Sequence, residues 1–402
     1  MDIIVGLHFI LILILFLRGK EFLMDQIYAI SSILFIIFPY YLHRFVLPFY
    51  FPTLEVNLIH LLATISYCFF ARSRGLNVSH KIVLLKEQNV WLPIVNAQRT
   101  RYVVYVIFAM HTLLLITGGQ SSAKVLFTLG VFLLFLFLGF LCNYLNDKKV
   151  YRPNLYFILA IALFAITYKY GFVGFGRMIL FKFVLGTYII YGFFYEFTFN
   201  KKLIVLLLLP VMIFAGALLR AQKSGTGGLS SIINEGAGIG SIVSPMRETE
   251  AIFEVLAAQE HELLKGESYA AAFLFFIPSA LWEGKPLGFG SEIVKWFYPE
   301  YYVEFHSLAA TFIAEPYANF GYLIGIPLSF VLIHIFSFLT RLVYYLLNKR
   351  NDFVLGLLVL VIFYCAIPDY IWGGVHASVA RSGFTFVPIV LYYFVLKRTI
   401  KS

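Results

Sequence analysis

"AKVLFTLGVFLLFLFLGFLCNYLNDKKVYR", Ala123–Arg152, decides the fold class. It stays apolar for about twenty residues, the length an α-helix needs to cross the ~30 Å hydrocarbon core of a bilayer. The apolar residues are continuous, not alternating, which fits a helix and excludes a barrel strand. The run ends in Lys148, Lys149 and Arg152, a basic loop of the kind retained in the cytoplasm.

The same pattern recurs outward in both directions. The chain of 402 residues is 61% hydrophobic and 13% charged, with 44 Phe and 27 Tyr, and its mean hydropathy is +0.85. The expected architecture is an all-α polytopic membrane protein with about eleven transmembrane helices. They are placed near 3–17, 27–46, 54–71, 102–117, 123–143, 154–170, 179–197, 203–218, 322–346, 353–368 and 384–397. No small-residue cleavage site follows Ile3–Leu17, so that run reads as a span and not a signal peptide. Three parts of one membrane domain follow: N-terminal helices over 1–218, a large outer loop region over 219–321, and C-terminal helices over 322–402. Cys68, Cys142 and Cys365 each lie in an apolar run and form neither a disulfide framework nor a zinc motif.

Charge supplies the orientation. Residues 218–317 hold twelve of the sixteen glutamates and six Lys or Arg, a net −6, while the whole chain is +10. The basic excess falls in short loops, at Arg72–Arg101, Lys148–Arg152, Lys201–Lys202, Lys349–Arg350 and Lys397–Lys401. The positive-inside rule makes these cytoplasmic. The N-terminus and residues 219–321 are then outside, and the C-terminus is in the cytoplasm. The high net charge therefore needs no nucleic acid to explain it.

Within the outer region, six glycines between Gly225 and Gly240 read as a flexible loop. Ser244–Pro245 reads as the N-cap and first residue of a helix that runs to about Lys265 and stops at Gly266. Arg247, Glu250, Glu254 and His261 would share one face of it, making an amphipathic helix on the membrane surface. Ser268–Leu281 is apolar but too short to span, and reads as a re-entrant or interfacial segment. Charge inside the spans is sparse (Glu55, Lys182, Glu196), and each of these residues can snorkel from a span end.

Familiar catalytic signatures are missing: GxSxG, HExxH, a Walker loop, CxxC, and any DxD among five scattered aspartates. Polar chemistry gathers instead on the outer side, in "EFHSLAATFIAEPYANFG", Glu304–Gly321, and near Arg220, Arg247, Trp282, Glu283, Lys285, Asp369, His376 and Arg381. Ser307, Thr311 and Glu315 recur at i, i+4, i+8 and would share a helical face, kept slim by Ala309, Ala310 and Ala314. Pro316 would break backbone bonding beside Glu315.

"HSLAATFIAEPYANFGYLIG", "GESYAAAFLFFIPSALWEGKP" and the arginine of "ARSGFTF" together resemble the Wzy-type O-antigen, or oligosaccharide repeat-unit, polymerases. The last piece departs from the family's usual Arg-Gly pair, having Ser382 before Gly383. The resemblance implies a GT-C-like membrane glycosyltransferase in the bacterial inner membrane, with its active site facing the periplasm. Both substrates would be polyprenyl-pyrophosphate-linked oligosaccharides. The growing glycan would move from its lipid pyrophosphate to the non-reducing end of a new repeat unit, without metal or other cofactor. Other expected partners are membrane lipids and a separate chain-length regulator. Arg247, Arg381 and Arg220 are then candidates for the pyrophosphate, since a guanidinium pairs bidentately with phosphate oxygens. Lys285 is a further binding candidate. Trp282 and Tyr317 are candidates for stacking on sugars. The base that accepts the acceptor's proton is Glu315 or His306, with Glu250 in reserve. Because the outer region is net acidic, its overall field cannot steer an anionic substrate; a few arginines in a shielded pocket must bind it. O-antigen ligases use the same donor, and flippases or transporters of lipid-linked sugar form a third class, expected to show polar groups at the bilayer midplane.

Overall fold

A backbone buried in lipid must satisfy its own polar groups, and the helix does so within one segment. A computed structural model describes residues 1–17, 23–46, 53–70, 98–117, 122–146, 154–171, 176–195, 202, 204, 240–277, 281–282, 284–302, 307–349 and 353–401. Among these the protein is all-α, with no strand. It is a multi-pass membrane protein. Five helices are long and apolar enough to cross a bilayer, Met24–Leu42, Gln98–Thr117, Ala123–Leu145, Ala314–Leu342 and Val354–Arg398, and shorter apolar helices accompany them. Arg220, Glu283, His306, the glycine-rich loop before Gly240 and, apart from Ile204, the span expected at 203–218 lie outside the described residues.

The chain divides into two compact units. Unit 1 comprises Met1–Gly75, Phe199–Arg341 and Ala366–Ala380. Its helices are α1 (Asp2–Leu17), α2 (Leu23–Ser32), a π-helical turn over Ile33–Ile37, α3 (Phe38–Val46) and α4 (Leu54–Phe70). α1 packs on α2 and α4. Their shared interior is polar in a way the sequence reading missed. His8 Nε2 and the Tyr28 hydroxyl meet Thr64 Oγ1 at 2.8 and 3.0 Å, and the Tyr67 hydroxyl donates to Asp25 at 2.7 Å. Tyr28 and Tyr67 stack face to face, centroids 4.1 Å apart. None of these polar residues sits in a recognisable motif, because the partners come from different helices.

Unit 2 comprises Leu76–Thr198, Leu342–Cys365 and Arg381–Ser402. It holds α5 (Gln98–Thr117), α6 (Ser122–Leu145), α7 (Leu155–Ile166) and α8 (Gly176–Phe194). α6 is the stretch quoted at the outset, and it is buried along its length. Small residues let its neighbours close in: Gly139 lies under the Phe157 ring and Gly186 against Leu133. Phe132, Phe164 and Phe183 fill the space between, with centroids 4.5 to 6.3 Å apart. α7 begins where expected because the Asn154 carbonyl caps it, accepting from Phe157 N–H at 3.1 Å. α5 leaves Tyr102, Tyr105, Met110 and Leu113 exposed, a stripe suited to lipid. Lys182 is 2% exposed, so it is enclosed by the unit and does not snorkel from a span end.

The remaining elements are α9 (Gly240–Ala257), α10 (Glu267–Phe273), α11 (Phe289–Phe297), α12 (Ala314–Lys349) and α13 (Phe353–Lys401). Several expectations change here. Helix α9 starts before Ser244 and contains Pro245 inside, and it ends at Ala257, well short of Lys265. Ser307–Thr311 is not helical, so Ser307, Thr311 and Glu315 do not share a helical face. Pro316 falls in the first turn of α12, where a missing N–H costs nothing. The actual break is at Gly321, at φ 69°, ψ −171°, a conformation open essentially to glycine alone. Asp369, His376 and Arg381 lie within helical α13, not in an outer loop, and α13 is broken instead at Gly374, at φ 76°, ψ −165°.

Candidate functional site

The site described here lies in unit 1. α9 turns Met246, Thr249, Glu250 and Phe253 inward, at spacings of three and four residues, against α3 and the π-helical turn. Glu250 thus belongs to the buried stripe of the helix, while Glu254 is exposed. His261 lies beyond the end of α9 and stacks on Trp296 at 5.0 Å. The surface-lying amphipathic helix with four polar residues on one face is therefore replaced by an embedded helix with a carboxylate in its packed face.

That carboxylate is unusual. Glu250 is 1% exposed. Its Oε1 accepts from Thr53 N–H at 2.7 Å, and its buried Oε2 has no hydrogen-bond partner among the described residues. Burial pushes its pKa up to about 7, the Thr53 hydrogen bonds oppose this, and the carboxylates of Glu254 and Glu55 add to the rise. Glu55 opens α4, and its carboxylate lies near the Tyr322 hydroxyl.

Next to Glu250 along the helix, the Thr249 hydroxyl donates to Pro245 O at 2.7 Å. It also meets the Thr311 hydroxyl at 2.9 Å, and Thr311 meets His60 Nε2 at 3.0 Å. Arg247 has a side chain 44% exposed and is paired to the buried Glu248, with Nε donating at 3.1 Å. Burial raises the Glu248 pKa and Arg247 counters it.

Glu315 has a different environment. It is wholly buried. Oε1 accepts from Ser268 Oγ at 2.9 Å, and Oε2 accepts from His376 N–H at 3.2 Å and from Val375 N–H. Those two N–H groups are released by the break at Gly374, where a side chain would collide with the carboxylate. Asn319 completes the arrangement: its Nδ2 donates to Ser268 Oγ and to Glu315 O at 2.8 and 2.7 Å, and its Oδ1 accepts from Gly266 N–H at 3.0 Å. Glu315 thus caps a broken helix, with both oxygens occupied by donors.

The other sequence candidates separate. Tyr317 is buried and stacks on Phe253 at 4.0 Å. Lys285 Nζ donates to Phe275 O and Ile277 O at 3.2 and 2.6 Å, tying down the segment after α10. Trp282 is half-buried, and its carbonyl accepts from Lys285 N–H at 3.2 Å. Arg381 belongs to unit 2, half-buried on α13, and its carbonyl accepts from Thr385 Oγ1 at 3.0 Å. Among the described residues no three His, Cys, Asp or Glu side chains converge as metal ligands. Sequence reasoning missed Thr53, Ser268 and Asn319. Only Asn319, four residues after Glu315, carried a signal, the i, i+4 spacing.

Comparison with known protein families, with curated proteins and with solved structures finds no match to this chain.

Proposed function

We propose that this chain is a membrane-embedded glycosyltransferase that polymerises lipid-linked oligosaccharide repeat units on the periplasmic side of a bacterial inner membrane. The observation that carries the reading is Glu250, a buried carboxylate with one oxygen unpartnered among the described residues and a pKa near neutrality. A general base works best when its pKa lies near the working pH. An enclosed carboxylate that keeps a free lone pair is able to accept a proton from a substrate hydroxyl. Glu315 is less suited, because two backbone N–H groups and a hydroxyl already use its oxygens.

In the reaction, the acceptor hydroxyl gives its proton to Glu250 as its oxygen bonds to the anomeric carbon of the donor. The bond from that carbon to the pyrophosphate oxygen breaks, and its electron pair leaves with polyprenyl pyrophosphate. Arg247, one turn before Glu250 and partly exposed, is the residue of this proposal that meets the developing charge. Arg220 remains a further pyrophosphate ligand of this proposal, and Trp282 a sugar-stacking residue. Lys285 is better explained by the two carbonyls it holds. The basic loops support the orientation, with the C-terminus in the cytoplasm.

The buried His8, Asp25, Tyr28, Thr64 and Tyr67 network favours a second reading, a transporter of lipid-linked sugar, because polar groups inside spans mark substrate paths. One experiment separates them. The gene is deleted from its source and complemented with wild type or Arg247→Ala, and surface glycan is run on a gel. A ladder that collapses to a single attached repeat on deletion, returns with wild type and fails with Arg247→Ala at normal protein level is the expected result. Long unattached polymer means a ligase, single repeats trapped on the cytoplasmic side mean a transporter, and a normal ladder from Arg247→Ala ends that residue's role.

A further inference from the structure

Beyond the end of α9 the chain makes a loop that no helix explains. Gln259 and Lys265 adopt φ of 58° and 50°, the only non-glycine residues with positive φ among those described. The loop is held in this form by the break in α12. The turn at Gly321 releases the carbonyls of the preceding helical turn, and Leu264 N–H and Lys265 N–H donate to Ala318 O and Asn319 O at 2.9 and 3.1 Å. Asn319 Oδ1 takes Gly266 N–H as well. Between loop and broken helix lies an open groove of about 660 Å³, lined in part by Gln259, His261, Glu262, Lys265, Tyr317 and Tyr322. Its size falls within the ~300–1,000 Å³ of small-molecule sites.

The lining is specific in kind. Tyr317 and Tyr322 stand edge to face, centroids 6.3 Å apart and planes 89° apart. Tyr317 is fixed by its stack on Phe253, whereas Tyr322 is 51% exposed. The rim offers an amide, an imidazole, a carboxylate and an ammonium. The lysine is paired to Glu262 at 3.3 Å, and a second carboxylate, Glu55, lies near the Tyr322 hydroxyl. An apolar ligand would strand this rim. A phosphate would meet more negative than positive charge. A sugar ring suits both halves, since its C–H face lies on an aromatic ring while its hydroxyls donate and accept.

We infer that this groove is a carbohydrate site that holds the non-reducing end of the acceptor oligosaccharide, stacked on Tyr322 and bonded by Gln259 and the neighbouring polar rim. The sugar's role as acceptor rests on the glycosyl-transfer reading; its binding does not. Acceptor, not donor, follows from the shortage of free positive charge for a pyrophosphate. The position agrees with the chemistry, because Tyr317 in the groove stacks on Phe253, which lies three residues after Glu250 on the same buried face of α9.

The test uses the full chain purified in detergent and the lipid-free repeat-unit oligosaccharide released by mild acid from the source's lipid-linked pool. Binding is followed by saturation-transfer NMR, with melting curves to confirm folding. Tyr322→Ala should weaken binding at least tenfold, Gln259→Ala about threefold or more, and Tyr322→Phe less than threefold, since the stack survives. In a polymerisation assay Tyr322→Ala should raise the acceptor KM at least tenfold and leave the donor KM and kcat within twofold. A wild type that does not bind, or a folded Tyr322→Ala that binds as wild type does, overturns the groove even if Glu250→Gln abolishes polymer. Binding lost in Tyr322→Ala while the purified wild-type chain makes no polymer from lipid-linked repeat units upholds the sugar site, and overturns both its acceptor role and the transfer reading.

Discussion

Glu315 was the first base candidate in the sequence and is a helix clamp in the structure, and two substitutions tell these roles apart. Glu315→Ala removes the acceptor for Val375 N–H, His376 N–H and the Ser268 hydroxyl, all buried or partly buried. A buried donor left without a partner costs about 1–3 kcal/mol. Two stranded backbone N–H groups therefore cost about 2–6 kcal/mol, and the cavity adds to it. Glu315→Gln keeps the shape. Its carbonyl can accept from Val375 and His376 while its amide donates to Ser268 Oγ, so the loss is about 1 kcal/mol. The assay pairs apparent melting temperature in detergent with the surface-glycan gel. Glu315→Ala should melt far below wild type and give little folded protein. Glu315→Gln should melt close to wild type and still give a ladder. A Glu315→Gln protein that melts normally but makes no polymer would refute the clamp and restore Glu315 as the base.

Glu250 makes the opposite prediction: Glu250→Gln should keep its fold and lose about 10²-fold or more of polymerisation rate, with wild-type activity rising through pH ~7 as the carboxylate ionises. Its raised pKa also fixes the sign of a stability effect. A carboxyl whose folded value of about 7 lies above its ordinary 4.5 stabilises the fold fully below pH 4.5 and loses that contribution as pH rises through 7. Glu250→Gln should therefore melt higher than wild type at pH 8 and not at pH 4.5; equal melting shifts at both would disprove the burial argument. In unit 2, Gly139→Val places a side chain into the Phe157 ring and should cost roughly 1–3 kcal/mol by overpacking, read as a lower melting temperature that Phe157→Ala partly restores.

The interior polar network shows where sequence reading stops. His8, Asp25 and Thr64 are scattered single residues in apolar runs, and nothing in their spacing pairs them. For Lys182 a one-dimensional pattern gives the distance from a span end, which suggests snorkelling, but not the neighbours that enclose it. α9 was misread for a related reason. The Ser-Pro pair is a good start signal, yet packing against α3 and the π-helical turn extends the helix backward across it. The break in α12 was expected at Pro316 and found at Gly321, since proline in a first turn is harmless and glycine alone accepts the backbone angles required.

The sequence by itself determined that this is an all-α membrane protein, because each apolar run answers the bilayer's demand within its own segment, and hydrophobicity and basic loops record that demand locally. It also gathered the polar residues that matter into a few short stretches. Only the tertiary structure decided what each one does. The partners of Glu315 lie 47, 60 and 61 residues away in the chain, and that of Glu250 lies 197 away. Helical periodicity reports the faces of one helix and cannot report which backbone N–H groups a distant break will release. That is why two glutamates alike in sequence became a clamp with both oxygens held and a carboxylate with one oxygen unpartnered among the described residues.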